Sequence, residues 1–169
     1  MNQLLYSIPL MLCAMKPIQA GVCAKGPGTL ECGAGTINSC EGSGIVMIKG
    51  THITQVARVS GQITISDAHM DTLDSKGQAT ISQSHITHIK HSGAITLKDS
   101  RVGDIDIHTD SAVIQGGHVQ EIVVHVNQVA NVYLSHGAQV SQIRFIGGRG
   151  QVHAEKGTEC HHIDNGQIV

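Results

Sequence analysis

A repeat of 16 or 17 residues runs from Gly44 to Val126, and it restricts the chain more than any other feature. Five copies align: Gly44 to Ser60, Gly61 to Lys76, Gly77 to Ser92, Gly93 to Thr109 and Asp110 to Val126. Each reads roughly G-x-I-x-I-x-x-S-H-I-x-x-I-x-x-x. The third position holds Val46, Ile63, Ala79, Ile95 and Ala112, and the fifth holds Ile48, Ile65, Ile81, Leu97 and Ile114. The tenth holds Ile53, Met70, Ile86, Val102 and Val119, and the thirteenth Val56, Leu73, Ile89, Ile105 and Ile122. Alternation of β-branched and polar residues is strand periodicity. A copy this short has no room for a helical hairpin, whereas three short strands joined by tight bends fit. Stacked copies put like residues over like, one strand spacing (~4.8 Å) apart. The aliphatic columns then bury a continuous core that no single copy can bury alone. The fold expected is an all-β, single-domain parallel β-solenoid of about six to seven coils. A sandwich of hairpins leaves the fixed period unexplained. The eighth position, always small (Thr51, Ala68, Ser84, Ser100, Gly117), is expected at an inner corner.

The flanks divide the chain further. Residues 1–20 read as an export signal: Leu4 to Met15 is a short, mostly apolar run, Pro17 breaks it, and Ala20 suits cleavage before Gly21. Twelve residues are too few to span a bilayer as a helix. Residues 21–43, rich in glycine and carrying Cys23, Cys32 and Cys40, read as a cap that covers the open end of the stack. Residues 44–155 hold the repeats. Val132, Leu134, Val140 and Ile143 fit a sixth coil with an insertion near Gly137, and Val152 and Ala154 a seventh. Residues 156–169 form a last coil or cap. Cysteines in an exported chain point to an oxidising compartment, and Cys32 is expected to pair with Cys40 or Cys23. Cys160 lies too far along the stack to reach them and is left free or for another chain.

Composition removes several functions. Beyond the signal the chain has one Tyr, Tyr133, one Phe, Phe145, and no Trp, which leaves few aromatic faces for sugars or unpaired bases. With Lys16 lost in the signal, 10 of the 11 basic residues stand against 13 acidic ones, a formal charge of −3. Nucleic acid is therefore excluded as the main partner. No phosphate loop, nucleophile elbow or H-E-x-x-H motif occurs.

Histidine is in excess, twelve residues in all. The ninth position reads His52, His69, His85, Arg101 and His118, between a small corner residue and an inward aliphatic, so it faces outward. His88 lies at position twelve beside Asp104 and Glu121, and His85, His88 and His91 share one coil. Stacked imidazoles make a polar ladder. They also offer neutral nitrogens to a metal, so His52, His69, His85, His88 and His118 form a candidate set for zinc or another transition metal. No other cofactor is expected. Position fourteen holds Asp74, Lys90 and Asp106, a surface ladder of alternating sign. The pairs Asp71/Asp74 and Asp104/Asp106 resemble catalytic carboxylates only in type, since no cleft is apparent around them. His108, Asp110 and Ser111 lack the spacing of a triad. Thr64, Thr80 and Thr96 form an ordinary β-branched column.

The runs Ser60-Gly61-Gln62-Ile63-Thr64-Ile65 and Ser92-Gly93-Ala94-Ile95-Thr96-Leu97 resemble the S-G-x-I-x-[IL] coils of exported bacterial β-solenoids, among them adhesin head domains, and of the cytoskeletal bactofilins. The likeness covers residues 44–126. It implies a fold and, from the adhesin side, a non-catalytic binding or structural role at the bacterial envelope or outside the cell. The signal and cysteines depart from the cytoplasmic bactofilins. The expectations are secretion or a periplasmic location, a surface ligand or envelope component as partner, no transmembrane anchor after signal cleavage, and self-association through Cys160 or the solenoid ends. A His-rich metal-binding protein and a polysaccharide-active enzyme remain as alternatives.

Overall fold

A computed structural model describes residues 23–169; the expected export signal at residues 1–20 lies outside the described residues. The chain winds into a parallel β-solenoid of about eight turns, one more than the upper expectation. Two antiparallel strands start it, β1 (Cys23–Gly26) and β2 (Thr29–Cys32). Four long strands each bend around a whole coil: β3 (Gly35–Lys49), β4 (Thr51–Ser66), β5 (His69–Ser82) and β6 (His85–Lys98). The later coils split into shorter pieces: β7 (Arg101–His108), β8 (Ser111–Gln115), β9 (His118–His125), β10 (Val129–Ser135), β11 (Gln139–Ile146), β12 (Arg149–Ala154), β13 (Glu159–Asp164) and β14 (Gly166–Ile168). From β2 onward every pairing is parallel.

The register stacks the expected columns. Val46, Ile63, Ala79, Ile95 and Ala112 follow one another, extended by Leu30 below and by Val132 and Val152 above. Ile48, Ile65, Ile81, Leu97 and Ile114 stack likewise, with Cys32 beneath and Leu134 on top. All are essentially excluded from solvent. The first coil thus begins at Thr29, inside the stretch expected as a cap. Only β1 caps, folding back along the outer edge of β2, where the Cys23–Cys32 disulfide ties it down. Cys40 is a buried free thiol in the first coil, and Cys160 a free thiol in β13 of the last full coil.

Two columns differ from expectation. The thirteenth position of the first repeat is Ala57, not Val56: the pairing shifts between Ile53 and Val56, Ala57 stacks under Leu73, and Val56 is left half-buried. The fifteenth position also points inward, as Val59, Ser75, His91, Ile107, Val124 and Phe145. The ring of Phe145 fits because Gly150 and Gly166 carry no side chains there. A Cβ would lie 2.1 Å from the ring at Gly150 and 2.6 Å at Gly166.

Two kinds of corner hold the coils in register. Before the small eighth residue the chain turns through the left-handed region at Gly50, Asp67, Gln83, Asp99 and Gly116. At Ser84 and Ser100 the hydroxyls complete the ladder. Ser84 Oγ accepts from Ala68 N at 3.1 Å and donates to Ser82 O at 2.7 Å, and Ser100 Oγ donates to Lys98 O at 2.8 Å. The hydroxyls thereby give Ala68 N and Ser84 N their acceptors at the bend, while Ser82 O and Lys98 O also accept from Asp67 N and Gln83 N. The second corner is the glycine opening each of the first four repeats. Gly44, Gly61, Gly77 and Gly93 have φ between +94° and +124°, and a Cβ on any of them would meet the carbonyl oxygen one coil below at 2.1 to 2.2 Å. Only glycine lets the strand run through this corner. Where the column ends, at Thr109 and Asp110, the strand breaks into β7 and β8.

Replacing Gly77 with Ala adds a methyl against the Gly61 carbonyl and a side chain at φ +119°. The variant is expected to lose on the order of 1–3 kcal/mol in urea unfolding. Gly33→Ala, where no atom lies within 4 Å, is the neutral control. Equal stability of the two variants contradicts the corner assignment.

Candidate functional site

The outward columns carry the chemistry. At position nine Thr36, His52, His69, His85, Arg101, His118, Gln139 and Glu159 stand one above another. His52 and His69 meet edge to face with ring centroids 4.9 Å apart, and His69 and His85 stack at 4.8 Å. The structure therefore brings three of the five predicted metal residues into one ladder. His118 is separated from them by Arg101, and His88 lies in another column. His52 and His85 are two coils apart, so neighbouring pairs meet while the ladder does not close around a point. The pKa of His69 is lowered, first by desolvation and then by the flanking His85 and His52.

Position fourteen is a longer charge ladder than its three expected members. It runs Glu41, Arg58, Asp74, Lys90 and Asp106, alternating in sign, then Val123, Arg144 and Asp164. Arg58 lies 3.2 Å from Glu41. In the neighbouring twelfth column His88 Nδ1 sits 3.1 Å from Asp104 Oδ2, and Glu121 accepts from Arg144. Such exposed pairs stabilise little individually, but they neutralise the face. Asp71 and Asp74 are exposed, and Asp104 is engaged by His88. Four concavities, along the sides and at the C-terminal end, are open grooves.

His91 departs from the outward set. It lies inside the stack at 1% exposure. Its Nε2 is 3.1 Å from Ala94 O, an acceptor only, so Nε2 carries the proton and donates. Nδ1 then accepts from Ser75 Oγ, 2.8 Å away on the preceding coil. The neutral ring is fully satisfied, and burial lowers its pKa against weaker support from the Ala94 and Gly77 backbones.

A second constellation unites residues that the sequence reading had kept apart. Asp106 and His108, two residues apart on β7, face the same side, and His125 of β9 pairs directly over His108. The two rings stack at 4.3 Å and 17°. His125 Nε2 lies 2.9 Å from Asp106 Oδ1, and one ligand atom from each of the three residues falls within 4.8 Å of the others. His125 was not among the predicted residues. The signal was present, because His108 and His125 both occupy position sixteen of their copies. Asp110, by contrast, lies beyond the strand end, in an open groove shared with Ser111, His125 and Asn127. Cys23, Cys32 and Cys40 also cluster, but the disulfide occupies two of the three sulfurs.

The chain matches no family model, no curated protein and no solved structure. No helix among the described residues is long and apolar enough to cross a membrane.

Two histidines thus have folded pKa values below the unfolded ~6.5. The unfolded chain then binds more protons, so stability is intact above that value and falls as pH drops through it toward the lower folded values. Melting temperature is expected to decline from pH 6.5 to 5. The double variant Ser75→Ala/His91→Leu removes the buried imidazole and its partner hydroxyl together, and its decline is expected to be shallower. An identical decline in both proteins contradicts the assignment to His91.

Proposed function

We propose that the chain is a non-catalytic β-solenoid that works as a rigid binding or structural element at the bacterial envelope or outside the cell. The observation that carries this reading is the distribution of chemistry. Charged and imidazole groups stand in columns along the sides of a rod, and the concavities beside them at Arg58 and Asp74 and at His108 and His125 are open grooves. Catalysis by paired carboxylates needs two of them to converge on one bond from opposite sides. Here Asp74 and Asp106 alternate with cations up one face, while Asp104 contacts His88. A flat array of this kind suits repetitive contact with an extended surface, such as an envelope polymer.

Several features agree with export. The leader-like residues 1–20, the Cys23–Cys32 disulfide and the tied-down first strand fit an oxidising compartment, periplasmic or extracellular. The partner consistent with the side columns is a surface ligand or envelope component. Self-association would run through Cys160 or the solenoid ends.

Two assays test this reading. The mature protein recovered from an exporting bacterial host is expected to begin at Gly21. Incubated with acidic polysaccharides such as polygalacturonate and alginate, it is expected to release neither new reducing ends nor unsaturated products. Turnover that disappears in Asp104→Asn/Asp106→Asn would establish the enzyme instead.

A further inference from the structure

We propose that Asp106, His108 and His125 form a binding site for a divalent first-row transition ion, with zinc the best fit. The site is distinct from the position-nine ladder and does not depend on the role proposed above.

The argument begins with backbone placement. Asp106 and His108 leave the same face of β7, because Ile105 and Ile107 on either side point into the core. His125 sits one coil higher, directly over His108. Three donors from two hydrogen-bonded strands are thus held on a rigid scaffold before any ion arrives. Two imidazoles with one carboxylate are a donor set suited to zinc and its neighbours, and too nitrogen-rich for calcium or magnesium.

The Asp106–His125 contact does not behave as a finished ion pair. Asp106 Oδ1 is sealed from solvent and has no aligned hydrogen-bond donor among the described residues, although His125 Nε2 lies 2.9 Å away. The Asp106 side chain is about half exposed, so the carboxylate keeps part of its hydration, and it is Oδ1 that faces His125 without a donor. Two ligands of one tetrahedral zinc bound at ~2.0–2.1 Å lie roughly 3.3–3.4 Å apart. The observed 2.9 Å is about half an ångström less, so a small opening of the pair lets an ion between the two atoms satisfy both. His108 closes the set by turning its exposed ring out of the stack with His125. The adjoining groove, lined by Asp110, Ser111 and Asn127, leaves the remaining coordination positions to water or to an incoming ligand.

The other imidazoles lack this convergence. In the position-nine ladder the rings meet only in successive pairs, and the carboxylates of the same coils, Asp67, Asp71 and Asp74, do not converge with them. His91 spends both nitrogens on Ser75 and Ala94.

The test is a zinc titration of the full chain at pH 7.5, against a chromophoric chelator, beside three variants. Wild type and His52→Gln/His69→Gln/His85→Gln are expected to bind one zinc per chain with similar affinity. His125→Gln and Asp106→Asn are expected to bind at least about tenfold more weakly, the minimum that loss of even an outer-shell partner costs. Melting temperatures with and without zinc guard against misfolding. Zinc is expected to raise the melting temperature of wild type and of the ladder variant but not of His125→Gln, whose zinc-free melting stays cooperative. Saturable binding lost only in the ladder variant would overturn the proposal. So would the absence of saturable binding in wild type, which would leave Asp106 and His125 as an ion pair alone.

Discussion

Everything in this molecule depends on parallel main-chain pairing held in register from one coil to the next. A parallel ladder repeats each residue's surroundings at every step of ~4.8 Å, so any position of the repeat becomes a column. Aliphatic columns make the core, hydroxyl columns make one corner, and a glycine column makes another. The corners are the restrictive elements. Gly61, Gly77 and Gly93 sit so close to the carbonyl below that no side chain fits, and Ser84 and Ser100 complete the bonding that the bend interrupts. The S-G-x-I-x-[IL] runs of the sequence are this corner followed by two core residues.

That logic explains what was legible. The columns Val46 to Ala112 and Ile48 to Ile114 were readable because period and strand alternation agree on every member. The inner corner was readable because only small residues occur there. The misreadings share one cause, local departures from the average coil. An extra residue between Ile53 and Val56 moves Ala57 into the core place assigned to Val56. Position fifteen mixes Val59, Ser75, His91 and Ile107, so its inward direction was hidden by two polar members that satisfy each other. The first coil was missed because Cys32 and Cys40 stand where later copies carry aliphatics.

Function follows the same division. Regular columns along the sides give a rod with a repetitive, largely neutralised surface, which is the basis of the binding or structural role proposed above. The position-nine histidines, prominent in sequence, are spaced by the ladder itself and meet only pairwise. The Asp106, His108 and His125 cluster lies beside the corner where the glycine column ends at Thr109 and Asp110, and a groove opens there. Distinctive chemistry thus lies where the repeat breaks, and the intact repeat supplies the rigidity that holds it.

The central claim, in-register stacking through about eight turns, is most directly tested by one distance. Thr36 and Glu159 share the position-nine column and are separated by seven pairing steps. Spin labels on Thr36→Cys and Glu159→Cys, in a Cys13→Ala/Cys40→Ala/Cys160→Val background that keeps the Cys23–Cys32 disulfide, report that span by pulsed electron resonance. The account predicts a narrow distribution centred near ~34 Å, seven strand spacings. A broad distribution, or a centre below about 20 Å as in hairpins packed in two layers ~10 Å apart, would contradict it.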